Sequence, residues 1–212
     1  MKASDVLVRL RRLGVPAVRT AEAAVALGLS KPAASMALAR LVAAGLVSPV
    51  RHGIWWVDGP VDVYRLPATL SAPYDSYLSL HTALHFHGLI EQIPEIVYVA
   101  TQGKTQRIST HIGTYSLHHI APEVFGGFEE TAAGMRLATP EKALFDFAYL
   151  SAGRSGLFAA LPEIELPRGF REGEARRWVR RIPSARSRTL TTSRLDAFLA
   201  AARGADGERR ST

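Results

Sequence analysis

Apolar residues recur along the first 45 residues with the three- and four-residue spacing of amphipathic helices. This spacing predicts three helices, over residues 4–13, 20–27 and 30–44. Each begins with a hydroxyl side chain suited to capping a helix N-terminus: Ser4, Thr20 and Ser30. Each ends before a glycine, which readily adopts the left-handed backbone that terminates helices: Gly14, Gly28 and Gly45.

The second and third predicted helices are separated by a short turn containing Gly28, as in a helix-turn-helix. The third helix has an apolar inward face: Ala34, Leu38 and Leu41. Its other face holds Lys31, Pro32, Ser35, Met36 and Arg40. In this motif the N-terminal part of the second helix of the pair enters the major groove of DNA. Lys31, Ser35 and Met36 are therefore candidates to reach bases or phosphates.

A two-stranded wing is predicted after the third helix. The segments "LVSPV" and "GIWWV" are rich in β-branched and aromatic residues and flank the turn "RHG". Arg51 and His52 are expected at its tip. Adjacent Trp55 and Trp56 must point to opposite faces of their strand. One is expected to pack onto the helices, and the other either lies near DNA or contacts the next domain.

The predicted DNA-binding set combines helix N-termini, which favour phosphate, with the outward helix face and the wing. It comprises Arg19, Thr20, Ser30, Lys31, Pro32, Ser35, Met36, Arg40, Arg51 and His52. Methionine cannot donate a hydrogen bond, although it can contact a thymine methyl. Met36 therefore predicts few direct contacts to base edges, so that phosphate contacts and DNA shape contribute more to recognition. Some winged domains bind protein instead, and that alternative stays open.

The proline-rich stretch "DGPVDVYRLPATLSAPYDS" marks a predicted domain boundary near residue 60. Beyond it a helix is predicted over residues 75–87. Strands are predicted in "EIVYVAT", "QRISTHIG", "TYSLHHI" and "GMRLAT". Further helices are predicted in "TPEKALFDFAYLSAG", "REGEARRWVRRIP" and "LTTSRLDAFLAAARG". The predicted fold class is α+β: a winged helix-turn-helix domain (1–60), a mixed α/β domain (61–204) and a frayed polar tail (205–212).

The charge distribution is open to two interpretations: an anionic partner for the ends of the chain, or simply the abundance of arginine, which makes up 22 of the 26 basic residues. The net charge is +7, made of +5 in residues 1–60, −4 in residues 61–150 and +6 in residues 151–212. A basic segment attracts phosphate through electrostatics and counterion release. The chain has no cysteine, which excludes disulfides and thiolate chemistry. With no long apolar run and no signal-peptide core, no membrane association and a cytoplasmic location are expected.

Enzyme chemistry has two weaker candidates in the second domain. His81 and His85 share a helix face and could bind a metal with Glu91 or Asp75. Glu141, Lys142 and Asp146 could form a nuclease-like set. Neither has a full signature, since no HExxH, phosphate-binding loop or nucleophile elbow occurs. The expectation is therefore no catalytic residue, no metal and no cofactor.

The Arg-rich segment over residues 168–188 contains four arginines at helical spacing: Arg176, Arg177, Arg180 and Arg181. A solvated helix face is the default interpretation. A second phosphate contact or a docking surface for an acidic partner are the alternatives.

The segments "SLHTALHFHGLI" and "TPEKALFD" resemble the AbiEi-type antitoxins of bacterial type IV toxin–antitoxin systems. The resemblance covers about residues 4–155. It implies a repressor that binds inverted repeats in its own promoter and counteracts a nucleotidyltransferase-like toxin, directly or indirectly. It carries the DNA-contacting role to Ser30, Lys31, Ser35, Met36, Arg40, Arg51 and His52, and it supplies no catalytic residues. A stand-alone regulator with a ligand-sensing or oligomerising second domain remains the alternative, and the oligomeric state stays open.

Overall fold

The computed structural model describes residues 2–153, Phe158 and residues 163–209, with side chains described as far as residue 203. The N-terminal part contains three helices, α1 (Ala3–Arg11), α2 (Thr20–Leu27) and α3 (Lys31–Ala43). It also holds three strands, β1 (Ala17–Arg19), β2 (Ser48–Arg51) and β3 (Ile54–Trp56). The strands form an antiparallel sheet in the order β1-β3-β2.

The helix caps correct the sequence predictions at two of three positions. Ser4 lies inside α1, whose N-cap is Lys2. Thr20 is the first residue of α2, and the N-cap is Arg19, whose backbone N–H donates to Glu22 Oε2 at 2.8 Å. Ser30 does cap α3, since its hydroxyl accepts from the Ala33 N–H at 3.4 Å. Each helix nevertheless starts within one residue of the serine or threonine that was predicted to cap it.

The second part begins with the short helix α4 (Pro67–Ser71), followed by β4 (Ser76–Leu78) and α5 (Leu80–Phe86). The strands β5 (Ile96–Thr101), β6 (Gln106–Thr110), β7 (Gly113–His119), β8 (Phe128–Glu130) and β9 (Arg136–Ala138) follow. The last helices are α6 (Pro140–Ser151), α7 (Glu172–Arg180) and α8 (Ala185–Arg209). These strands form a mixed six-stranded sheet in the order β6-β7-β5-β4-β9-β8.

Three features of the second part differ from the sequence predictions. Residues 76–78, predicted to open a helix, form β4, which pairs with β5 and β9. Strand β8 was missed, because its three residues pair only with β9 and carry two exposed glutamates. The tail predicted to fray from residue 205 continues α8 to Arg209, and residues 210–212 lie outside the described part of the chain.

The six-stranded sheet separates two layers. Alternate residues of a strand point to opposite faces, and on β4 Leu78 faces the N-terminal part while Tyr77 faces the helices α5 to α8. The core on the N-terminal side joins both parts of the chain, since Trp56 packs there with Val99 and Tyr115. The architecture is therefore α+β, as predicted. No single helix among the described residues is long and apolar enough to cross a bilayer.

Candidate nucleic-acid interface

Helices α2 and α3 meet at an angle of 100° across a turn of three residues, Gly28 to Ser30. Gly28 has φ +64°, a left-handed conformation that side chains other than glycine rarely adopt. Ala34, Leu38 and Leu41 are buried and pack α3 onto the rest of the N-terminal part. This packing fixes which face of α3 is turned to solvent.

The outward face of α3 is the one that the sequence predicted. Its members are exposed, together with the cap residue: Ser30, Lys31, Pro32, Ser35, Met36 and Arg40. Met36 is 60% exposed, which is high for a large apolar side chain. Met36 is therefore the one large apolar side chain among these residues of the face, beside the smaller Pro32 one helical turn earlier.

An open groove of about 1000 Å³ runs between α3, the β2–β3 hairpin and strand β6. Seven of the predicted DNA-binding residues line it: Arg19, Thr20, Lys31, Pro32, Ser35, Arg51 and His52. The other three do not line it: Ser30 is the N-cap of α3, and Met36 and Arg40 lie on its later turns, all three exposed. The structure therefore brings most of the predicted set to one concave surface.

The hairpin turn presents the exposed side chains of Arg51 and His52. Gly53 forms the turn with φ +76°. The register shifts by one residue between Pro49 and Arg51, as in a β-bulge. A bulge increases local twist and re-aims the residues beside it, which places Arg51 at the groove.

Thr20 corrects the sequence prediction. Its side chain is buried, its Oγ1 accepts from Trp55 Nε1 at 2.9 Å, and its backbone N–H donates to the Gly53 carbonyl at 2.9 Å. The hydroxyl also lies 3.4 Å from the Gly53 carbonyl, to which it donates. A hydroxyl bonded on both sides has no proton left for a phosphate. Thr20 therefore holds the hairpin against α2 and is not a phosphate donor.

Arg19 lines the groove, as expected for the predicted set, and it has a second, structural role. Its Nη2 donates to the backbone carbonyls of Thr69 at 3.0 Å and Ala72 at 2.9 Å, at the C-terminal end of α4. Two carbonyls at a helix end are groups that need partners from outside the helix. The guanidinium is thus engaged in joining the N-terminal sheet to α4, although the residue borders the groove.

Replacing Arg19 by alanine should lower the free energy of unfolding by about 1.5–3 kcal/mol, because two carbonyls would lose a charged donor. Urea unfolding followed by tryptophan fluorescence measures this. Arg9→Ala is the matched control, since Arg9 is exposed on α1, and it should change the free energy by less than about 0.5 kcal/mol. An Arg19→Ala variant as stable as the control would contradict the assigned role.

Trp55 and Trp56 point to opposite faces of strand β3, as predicted. Trp55 is partly buried and packs on the core of the three N-terminal helices. Trp56 is 1% exposed and lies in the core shared with the six-stranded sheet. Its Nε1 donates to the carbonyls of Asp58 at 2.9 Å and Gly59 at 3.1 Å. Of the two alternatives, the contact with the second part of the chain is the one that the structure has.

The second part of the chain contributes groove residues that sequence reasoning missed. Gln106 and Ile108 of β6, and His111 of the β6–β7 turn, line the groove. The His111 N–H donates to the Val50 carbonyl of β2 at 2.9 Å, so this turn is bonded to the hairpin. These residues lie at least 50 positions after the hairpin, and no local pattern connects them to it.

The groove has unbalanced positive charge. Lys31 and Arg51 line the groove, and Arg40 lies outside it on the exposed side of α3. All three side chains are exposed and form no ion pair with any residue that the structure describes. A surface lysine or arginine without a carboxylate partner keeps its full attraction for a polyanion. The arrangement can bind a phosphate backbone.

The nuclease-like set of Glu141, Lys142 and Asp146 lies in the buried part of α6. Lys142 and Asp146 are fully buried in α6 and bonded to each other. Asp146 also accepts from Tyr77 Oη at 3.0 Å and Ser79 Oγ at 2.7 Å. Glu141 is 5% exposed and accepts from the Arg171 N–H at 3.0 Å. These groups support α6 and do not face solvent.

Of the two histidines of the metal alternative, His81 belongs to an aromatic cluster, whereas the His85 ring lies 6.4 Å from that of its chain neighbour Phe86, between ring centroids. The His81 ring lies 4.7 Å from Tyr98 and 5.0 Å from Phe147, between ring centroids. His118 bonds Ser116 Oγ at 2.8 Å, and burial, followed by the nearby His81, lowers the pKa of His118 to about 4. Among the described residues, no three His, Asp or Glu side chains are placed to hold a metal ion together.

Comparison with known proteins adds no assignment to this geometry. The chain matches no protein-family model, and no curated protein matches it in sequence.

Proposed function

We propose that the chain binds promoter DNA through a winged helix-turn-helix formed by α2, α3 and the β2–β3 hairpin. The observation that carries this proposal is the cationic groove along α3. The angle of 100° between α2 and α3 and their three-residue turn agree with the helix-turn-helix geometry. The hairpin that follows stands where a wing would be.

In this proposal the N-terminal half of α3 enters the major groove. Lys31 and Ser35 then approach base edges or phosphates, and Met36 contacts a thymine methyl or a sugar. Ser30 accepts from the Ala33 N–H as a cap, and its own hydroxyl proton is available to a phosphate oxygen. Arg40 contacts the backbone from the later turns of α3.

The hairpin would contact the backbone beside the half-site. Arg51 and His52 are exposed at the turn, and His111 borders the same groove. Arginine can form two hydrogen bonds with a phosphate in its planar fork geometry. With three free cations and few hydrogen-bonding readers on α3, most of the affinity comes from phosphate contacts and the rest from base contacts and shape.

The second half of the proposal is that the chain is an antitoxin that represses its own operon and counteracts a nucleotidyltransferase-like toxin. Its support is the resemblance of "SLHTALHFHGLI" and "TPEKALFD" to AbiEi-type antitoxins. These segments form α5 and the first turns of α6, with their N-cap residues Ser79 and Thr139, and Ser79 Oγ donates to Asp146 of the Lys142–Asp146 pair. The resemblance therefore lies in the residues that build the core of the second part.

Co-expression with the neighbouring nucleotidyltransferase gene tests the antitoxin half. We expect growth arrest by that gene alone and restored growth when the chain is also produced. The Lys31→Gln/Arg40→Gln/Arg51→Gln variant separates the halves, because it should lose promoter repression and still restore growth. If growth is not restored although the promoter is repressed, the chain is a stand-alone regulator and the antitoxin half is wrong.

A further inference from the structure

The turn between α7 and α8 carries four exposed arginines within nine residues: Arg180, Arg181, Arg186 and Arg188. We call these four residues the basic turn. None of them pairs with a carboxylate among the residues that the structure describes. Arg188 makes one weak bond of 3.5 Å to the Pro183 carbonyl, and Arg181 stacks on Trp178 at 4.2 Å from the ring centroid.

Three other arginines of the same two helices are paired with carboxylates, whereas Arg194 of α8 is exposed and forms no ion pair with a described residue. Arg176 pairs with Asp196 at 2.6 Å, and Arg177 pairs with Glu174 at 2.7 Å. Arg203 pairs with Glu172. The carboxylates of Glu172, Glu174 and Asp196 thus pair with arginines outside the basic turn. Positive charge is therefore concentrated at one end of this helix pair.

The basic turn is remote from the groove on α3. Helix α7 packs on the helical face of the six-stranded sheet, and its Trp178 ring fills the space above Gly127, just before edge strand β8. The groove lies on the opposite face, at the other edge strand, β6. Five strand spacings separate the two edges, which is about 24 Å. The groove and the basic turn therefore lie on opposite faces and near opposite edges of the sheet.

The surface chemistry of the basic turn favours nucleic acid over protein. The centres of protein–protein interfaces are apolar and depleted in charge, whereas here Leu190, 44% exposed, is the nearby large apolar side chain. Protein–DNA interfaces are polar and strongly positive, and guanidinium forks match phosphate oxygens. Four unpaired arginines therefore fit a phosphate backbone.

The accessibility of the Trp178 ring indicates whether the basic turn suits double-stranded or single-stranded nucleic acid. Single-stranded nucleic acids stack their bases on open aromatic rings. Trp178 offers no open face, because Arg181 covers it and its ring also contacts Lys142 at 4.7 Å and the Gly127 backbone. We propose that the basic turn binds the backbone of a second segment of double-stranded DNA, so that one chain holds two duplex segments.

The first test removes the positive charges of the proposed DNA-binding surface formed by α3 and the hairpin. In the Lys31→Gln/Arg40→Gln/Arg51→Gln background, a duplex of unrelated sequence should still bind, with a log–log salt slope of about −3.6 from the four arginines of the basic turn. Adding Arg180→Gln, Arg186→Gln and Arg188→Gln should weaken that binding at least about tenfold. Adding Arg176→Gln, Arg177→Gln and Arg203→Gln instead removes the same charge from neutralised arginines and should leave the binding within about threefold.

The second test asks for two duplexes at once. Promoter duplex on beads is loaded with the chain, washed and offered a fluorescent duplex of unrelated sequence. We expect capture by the wild-type chain and by the Arg176/Arg177/Arg203 variant, and at least tenfold less by the Arg180/Arg186/Arg188 variant. No capture by the wild type, or equal capture by both variants, overturns the proposal. So does a tenfold preference for RNA of equal length in the groove-free background.

The two proposals fail separately. If the groove substitutions leave promoter binding unchanged, the proposed function is wrong and the basic turn is the DNA-binding surface. If they abolish all duplex binding, the basic turn is not a binding surface and the groove assignment stands.

Discussion

Replacing Lys142 by methionine should lower the free energy of unfolding by about 3–5 kcal/mol, the usual cost of removing one partner of a buried ion pair. Lys142 and Asp146 are both fully buried and bonded to each other. The Lys142 ammonium also lies 4.8 Å from the Phe145 ring centroid and 4.7 Å from that of Trp178. Without Lys142, the Asp146 carboxylate loses its only charged partner among the described residues.

The directions of the pKa shifts show that burial disfavours the charged forms of both Lys142 and Asp146. Burial lowers the pKa of Lys142 and raises the pKa of Asp146, and each partner opposes the shift of the other. Each charge is therefore tolerated because the other is present. A Lys142→Met variant keeps most of the side-chain volume, so that the measured loss reports charge and not a cavity.

Urea unfolding measures this prediction with two controls. Lys104→Met, at an exposed position, should change stability by less than about 0.5 kcal/mol. The double variant Lys142→Met/Asp146→Leu should be more stable than Lys142→Met alone, because it no longer buries an unpaired charge. A Lys142→Met variant within about 1 kcal/mol of the wild type would show that the pair is not buried as described.

The second large effect concerns the groove. The Lys31→Gln/Arg40→Gln/Arg51→Gln variant should bind promoter duplex about 100-fold more weakly than the wild type at 0.15 M salt, because three phosphate contacts are lost. Its log–log salt slope should be shallower by about 2.7 for the same reason. Fluorescence anisotropy over a salt series measures both quantities.

The Arg176→Gln/Arg177→Gln/Arg203→Gln variant is the charge-matched control for this experiment. Its three arginines are paired with carboxylates on α7 and α8, away from the groove. It should keep the wild-type affinity within about threefold. If both variants weaken binding equally, net charge and not the groove determines the affinity.

Local signals in the sequence predicted the helices and the hairpin well. Ser30 caps α3, Thr139 caps α6 by accepting from the Lys142 N–H at 3.3 Å, and Gly53 forms the hairpin turn. A cap or a turn is decided by residues within a few positions of each other. The same signals were therefore readable before any tertiary contact was known.

The features that the sequence did not predict depend on partners that are distant along the chain. Strands β1, β4 and β8 have three residues each and take their hydrogen bonds from neighbouring strands. Arg19 bonds carbonyls that lie 50 and 53 positions later in the chain, and Thr20 bonds a tryptophan 35 positions later. A residue's exposure and free hydrogen-bonding capacity are tertiary properties. For this reason the outward face of α3 was predictable, whereas the roles of Arg19, Thr20 and His111 were not.

The most direct test of the DNA-binding function compares the chain's own upstream promoter duplex with a scrambled duplex of equal length, at several stated salt concentrations. We expect the promoter duplex to bind at least about tenfold more tightly at 0.15 M salt, with log affinity falling linearly as log salt rises. Equal affinity for the two duplexes, or no binding of either at low salt, would contradict the proposal that α3 and the hairpin read promoter DNA.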